Sequence, residues 1–259
     1  MAQSIATKDS KKRQLLKFYE EEESFNNYAT TNVKRVGELK KIYSENKVHF
    51  GNRVLDLGCG GGILAFIAKP KVYFGVDLNP KSIRLAREQT RNADKQYRFV
   101  VGDITRLEKL GSFDTVALLG NTLGHINTSE FREVLDGVGK NVAHGANFII
   151  EYRDTVDLLF NKRWKAVIDV TFADGRRGKS LTRTYNTFTG EIMKADVFGT
   201  HTLLRVTQAV WAPFILEQIM LCSGWKLIKR SRSRRWDGWF EIYRLEARRQ
   251  KPKSIFLHQ

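Results

Sequence analysis

Cysteine is nearly absent from this chain: of 259 residues only Cys59, inside a glycine-rich stretch, and Cys222, in a predicted helix, carry a thiol. That excludes a disulfide framework, predicts no cysteine-based metal site and points to a reducing, cytoplasmic setting. No run approaches the ~20 apolar residues of a membrane span, which predicts no membrane partner. Residues 1–13 are polar, which argues against a secretory signal. Acid is scarce relative to base, with 28 Asp and Glu against 44 Lys and Arg, a net charge of +16. The bias is steepest at the end, where residues 221–259 hold eleven Lys/Arg against three acids. Two readings fit: a surface for nucleic acid or another acidic partner, or a solvated basic surface with a tail. Hydrophobic content of 42% suffices for a globular core, and the length suits one large domain or a domain with an insertion.

The most informative stretch is Val54-Leu55-Asp56-Leu57-Gly58-Cys59-Gly60-Gly61-Gly62. An apolar run ends in an acid, glycines follow, and Ile63 to Ala68 can start a helix. Strand, tight turn and helix N-terminus let backbone approach a nucleotide-like ligand closely. A dinucleotide fingerprint would need its third glycine at 63, where Ile63 stands. The spacing is D-x-G-x-G-x-G instead. A carboxylate at Asp56 repels a pyrophosphate but suits a ligand that carries an ammonium group. The stretch resembles motif I of the class I S-adenosylmethionine (SAM)-dependent methyltransferases.

Three further strand ends agree with that resemblance. Val72 to Asp77 places an acid 19 residues after Gly58, the reach of one strand–helix–strand unit, where a carboxylate can accept both ribose hydroxyls of an adenosine. Tyr97 to Val101 leads into Gly102-Asp103-Ile104; the family resemblance places Asp103 by the adenine, and a turn cap is the competing reading. Phe113 to Leu119 runs into Gly120 and Asn121. The expected cofactor residues are Asp56, Gly58, Cys59, Gly60, Asp77, Leu78, Asp103, Ile104 and Gly120, and the implied cofactor is S-adenosyl-L-methionine.

At the fourth strand end an N-P-P-Y motif is absent, since the four prolines lie at 70, 80, 213 and 252. Neither cysteine is placed as a nucleophile for cytosine-carbon methylation. What is present, F-D-x-V-x-x-L-G-N-x-x-x-H-I over 113–126, resembles the small-molecule N-methyltransferases related to glycine N-methyltransferase. The strand Asn147 to Arg153 is similar to that family's next strand. The resemblance implies a small-molecule acceptor methylated at an amine nitrogen, with Arg153 holding a substrate carboxylate and Asn121 positioning the amine. His125 is either a base that orients the acceptor or a structural histidine. An RNA or protein methyltransferase using the basic C-terminal surface, or a SAM-binding protein without turnover, are the alternatives.

The expected fold is α/β: a Rossmann-like, seven-stranded class I methyltransferase sheet, mostly parallel, with an antiparallel terminal hairpin. Residues 1–46 form an N-terminal helical lid, in which Tyr19, Phe25 and Tyr28 face substrate or pack on the sheet. Residues 47–160 and 211–248 make the SAM-binding domain. Alternation over 161–210 predicts a small antiparallel β insertion after strand 5, over the active site, with Arg183, Tyr185, His201 and Arg205 as candidate inward residues. Trp236 and Trp239 beside Arg232, Arg234 and Arg235 either stack on a nucleobase or cover the sheet edge. Residues 249–259 are read as a mobile basic tail.

Overall fold

The computed structural model describes residues 8–21, 33–93, 96–172, 174–233 and 238–246. Seven strands form the central sheet: β1 (Arg53–Leu57), β2 (Val72–Asp77), β3 (Gln96–Val101), β4 (Phe113–Leu118), β5 (Val142–Arg153), β10 (Trp225–Ser233) and β11 (Gly238–Leu245). Their spatial order is β10-β11-β5-β4-β1-β2-β3. The first five run parallel, while β11 is antiparallel to β5 and β10 to β11. The order reverses between β1 and β4, and at such a switch point the strand ends leave a crevice for a ligand.

Both faces of the sheet are covered, as its nearly unbroken apolar strands require. Helices α5 (Thr128–Gly139) and α7 (Pro213–Cys222) lie on one side, where Phe131, Val134, Leu216 and Met220 meet Leu55, Leu57, Phe148 and Ile150. On the other, α2 (Val33–Asn46), α3 (Ile63–Ala68) and α4 (Pro80–Thr90) bring Leu39, Leu64, Ala65 and Ile83 against Val54, Ala117 and Ile149. Helix α5 is not among the elements expected above. It starts on a capping box, Asn127 accepting from the Glu130 amide and Glu130 from the Asn127 amide, each at 2.9 Å.

The chain leaves β5 through α6 (Thr155–Phe160) and builds the antiparallel sheet β6 (Val167–Thr171), β7 (Arg177–Asn186), β8 (Glu191–Phe198) and β9 (His201–Ala209). Leu204 and Val206 of β9 pack on Phe18 of helix α1 (Lys8–Glu21), with Leu15 and Tyr19 beside them. Trp211 returns the chain to the main domain, fully buried, its indole N–H on the Ile126 carbonyl at 2.9 Å. Strand β10 reaches Ser233, so Arg232 lies in paired backbone opposite Trp239. Among the described residues, no helix is long and apolar enough to cross a membrane, and no group of three His, Cys, Asp or Glu could hold a metal.

Candidate active site

A cavity opens at the carboxyl ends of β1, β2 and β4, and ten of the sequence-predicted residues line it: Asp56, Gly58, Cys59, Gly60, Asp77, Leu78, Asp103, Ile104, Gly120 and His125. The glycine turn has to be glycine where it matters. Gly58 sits at φ +73°, and a Cβ there would lie 2.6 Å from Thr122 Cγ2. Gly62, at φ +76°, precedes α3 with Phe99 2.7 Å from where its Cβ would be.

Two carboxylates anchor the floor. Asp77 Oδ2 accepts from the Gly60 amide at 2.9 Å and Oδ1 from the Asn79 amide at 2.8 Å, leaving lone pairs on both oxygens for ligand hydroxyls. Asp56 is 4% exposed and accepts from the Tyr73 hydroxyl. Burial lifts the Asp56 carboxyl to about 7; the Tyr73 hydrogen bond and Arg35 act against that rise, and Asp77 adds to it.

Arg35 is a wall residue that the sequence reading missed. It comes from α2, 4% exposed, and its guanidinium meets Glu151 at 2.7 and 3.3 Å. Glu151 also accepts from the Gly120 amide at 3.0 Å and Ser233 Oγ at 3.1 Å, fixing the β4 turn at the edge of the cavity. Helix α1 closes another side with Lys11, Lys12, Leu15 and Tyr19. Lys11 bridges Glu130 of α5 at 2.7 Å and Glu191 of β8 at 2.5 Å, and Lys12 pairs with Asp103. Nothing in the spacing of Lys11 and Lys12 marks them, because their acids lie 91 to 180 residues away.

Asp103 lines the cavity and also caps a turn. Its Oδ1 caps the turn at 104–106, accepting from the Thr105 amide at 2.9 Å and hydroxyl at 2.8 Å. Burial alone would raise its carboxyl, but hydrogen bonds from Lys12 and Thr105 outweigh burial and hold it below the usual range. Only Oδ2, shared with Lys12, is left to meet a ligand.

His125 stands edge-on to Tyr19, ring centroids 5.6 Å apart. Burial, then Lys11 and Lys194, push its pKa down to about 4, against a hydrogen bond to the Thr207 backbone, so the ring is neutral near pH 7. That bond to a carbonyl places the proton on Nε2 and leaves Nδ1, which has no protein partner, as an acceptor.

Asn121 and Arg153 are elsewhere. Neither lines the cavity; Asn121, in the left-handed region at φ +64°, accepts from the Arg153 amide at 3.0 Å and so ties the β4 turn to the end of β5. The four insertion candidates also miss the site: Arg183, Tyr185, His201 and Arg205 are exposed, because Arg205 alternates with Leu204 and Val206, which face α1. The insertion instead contributes Glu191, Lys194 and the Thr207 backbone. Trp239 lies on β11, inside the sheet rather than at its edge, and packs against the core, its N–H on Asp154 at 2.8 Å and the Arg232 guanidinium 4.0 Å over its ring. Phe25, Tyr28, Arg234, Arg235, Trp236 and the tail from 249 lie outside the described residues.

Residues 54–145 match the family model described as a methyltransferase domain. Over that stretch the chain is similar to methyltransferase domains. The fold is that of solved SAM-dependent methyltransferases. Over 74 residues the chain is 43% identical to a ubiquinone biosynthesis O-methyltransferase of Paracidovorax citrulli, covering 27% of this chain and 31% of that one. A ribosomal protein L11 methyltransferase of Ralstonia pickettii is 36% identical over 84 residues, 30% of this chain and 27% of that one. The chain thus spans under a third of the length of these curated relatives. A SAM-dependent methyltransferase structure from Clostridium acetobutylicum superposes with a TM-score of 0.64 at 14% identity, over 91% of this chain and 99% of that one.

Proposed function

We propose that this chain is an S-adenosylmethionine-dependent methyltransferase that methylates a small-molecule acceptor at an amine nitrogen, inside the cavity beneath α1. The supporting observation is that an anionic and a cationic side chain, Asp56 and Arg35, stand on one wall of a glycine-lined cavity. Together they match an amino-acid end that carries both an ammonium and a carboxylate. When bound, the cofactor supplies an electrophilic methyl on a sulfonium. Asp77 would receive the ribose hydroxyls, Leu78 and Ile104 would flank the base, and Asp103 would offer Oδ2 to its amine. Gly120, held by Glu151, would border the transferable group.

Acceptor chemistry falls to the α1 side. Tyr19, Leu15 and Ile126 exclude water there, and alignment in a dry cavity can supply ~7–11 kcal/mol of barrier reduction. His125 would take a hydrogen bond from the acceptor N–H or O–H at Nδ1. With its pKa near 4 the ring is a weak base, so its part would be to orient an acceptor that arrives deprotonated, and the product ammonium would lose its proton to solvent. Arg153 and Asn121 take no part in this scheme.

Small acceptors are favoured over RNA because α1 is tied across the cavity by Lys11 and Lys12, and because described basic residues of the C-terminal hairpin are matched locally. Arg230 pairs with Glu217 and Glu241, Arg232 with Asp157, and Lys226 with Glu246. The test is a labelled-SAM screen against amines, phenols, RNA and ribosomal-protein pools, preceded by calorimetry with SAM and NAD. SAM binding without NAD binding, and label on a small amine, are expected. Label on RNA alone, falling steeply with salt, would refute the acceptor assignment.

A further inference from the structure

Directly beneath the glycine turn, the hydroxyl of Tyr73 donates to Asp56 Oδ2. Tyr73 is 0% exposed and does not line the cavity, so it touches no ligand. Its ring is wedged from β2 against Tyr97 at 5.8 Å and Phe99 at 5.4 Å, both on β3. Burial pushes the Tyr73 hydroxyl well up, so it remains a donor at every working pH. A carboxylate buried under a turn faces two outcomes: it keeps a proton, or a fixed donor keeps it charged. Resting on the cofactor proposal above, we propose that Tyr73 is a positioning residue of the cofactor site, favouring the ionised form of Asp56 and keeping its carboxylate turned to the cavity for the ligand ammonium.

The surroundings leave that task to Tyr73. Asp77, from the end of β2, opposes a second negative charge, and Cys59, whose thiol is pushed up by burial, stays neutral. Tyr97 is also neutral, and Arg35, from α2, is the one cation acting on Asp56 but is shared with Glu151. With Asp56 at about 7, loss of the Tyr73 donor moves its titration upward. Cation affinity then falls at neutral pH and recovers as the pH rises.

The test is the SAM dissociation constant of Tyr73→Phe relative to the unsubstituted protein, measured between about pH 6.5 and 8.5. Titration of the ligand's own amine cancels in that ratio. A ratio of several-fold at the acid end, shrinking toward the alkaline end, is expected, and in an Asp56→Asn background it should be flat with pH. A pH-independent ratio, or no change at all, overturns the proposal while leaving the cofactor assignment standing. Absence of SAM binding by the unsubstituted protein overturns both. Should Tyr73→Phe not fold, 3-fluorotyrosine placed at position 73 alone, a stronger donor of the same shape, decides: tighter SAM binding at the acid end of that range supports the proposal, and unchanged affinity overturns it.

Discussion

Glu151→Gln should be among the most damaging isosteric changes in this chain. Glu151 is 1% exposed and accepts four hydrogen bonds, two from Arg35 and one each from the Gly120 amide and Ser233. The amide would keep the volume but remove the charge, and it would turn one acceptor into a donor facing donors. Arg35, itself 4% exposed, would lose its close carboxylate and keep Glu38 at 3.9 Å. Removing one member of a buried pair costs roughly 3–5 kcal/mol. For a chain of this size that is on the order of 6–20 °C in Tm. The loss should be larger than a pure stability effect on function, since the Gly120 turn borders the cavity. Denaturant unfolding should therefore be read with SAM calorimetry. The double variant Arg35→Met, Glu151→Leu isolates the pair: it should be less destabilised than the two single changes summed. A Glu151→Gln cost under about 1 kcal/mol, or strict additivity in the cycle, would refute the ion pair as the clamp on this turn.

Three other outcomes follow from the same geometry. Gly58→Ala must adopt a left-handed residue and push Cβ to 2.6 Å from Thr122, so it should cost about 2–4 kcal/mol and weaken SAM binding; Thr122→Ala should restore part of both, by melting and calorimetry. His125 titrates at 6.5 unfolded and about 4 folded, so the unfolded chain binds more protons in that window. Stability is complete above 6.5 and is lost on acidification toward pH 4, by on the order of 3 kcal/mol; His125→Asn should flatten this limb and, by misplacing the acceptor, lower kcat by up to roughly 10²-fold without shifting SAM affinity. A change confined to SAM affinity would remove His125 from the acceptor chemistry. Lys11→Met should free α1 from α5 and β8 at a cost on the order of 2 kcal/mol, seen as faster amide exchange in 8–21. Unchanged protection of those amides would show that apolar packing alone seats the helix.

What could be read in the chain beforehand follows from how local each signal is. The strand–glycine–helix unit at 54–68 and the acids at 77 and 103 lie at the ends of short apolar runs, so backbone periodicity alone brings them to one edge of the sheet. Their partners come from far away: Glu151 reaches Arg35 across 116 residues, and Lys12 reaches Asp103 across 91. Only packing can join such pairs, and no spacing rule encodes it. Arg153 and Asn121 are each expected, by resemblance, to hold the acceptor; their mutual contact, through the Arg153 backbone amide, is not legible in their spacing. In the insertion, the strands were readable from alternation, yet the register shift between Thr182 and Thr184 and the one between Asp196 and Val197 reset which side chains face inward. Helix α5 is the opposite case, because Asn127, Glu130, Phe131, Val134 and Val138 spell a capped amphipathic helix in sequence. A motif search passes over it, since it supplies no ligand group of its own beyond Glu130. It nevertheless holds the second end of the Lys11 bridge, and through it decides how closely α1 covers the acceptor side of the cavity.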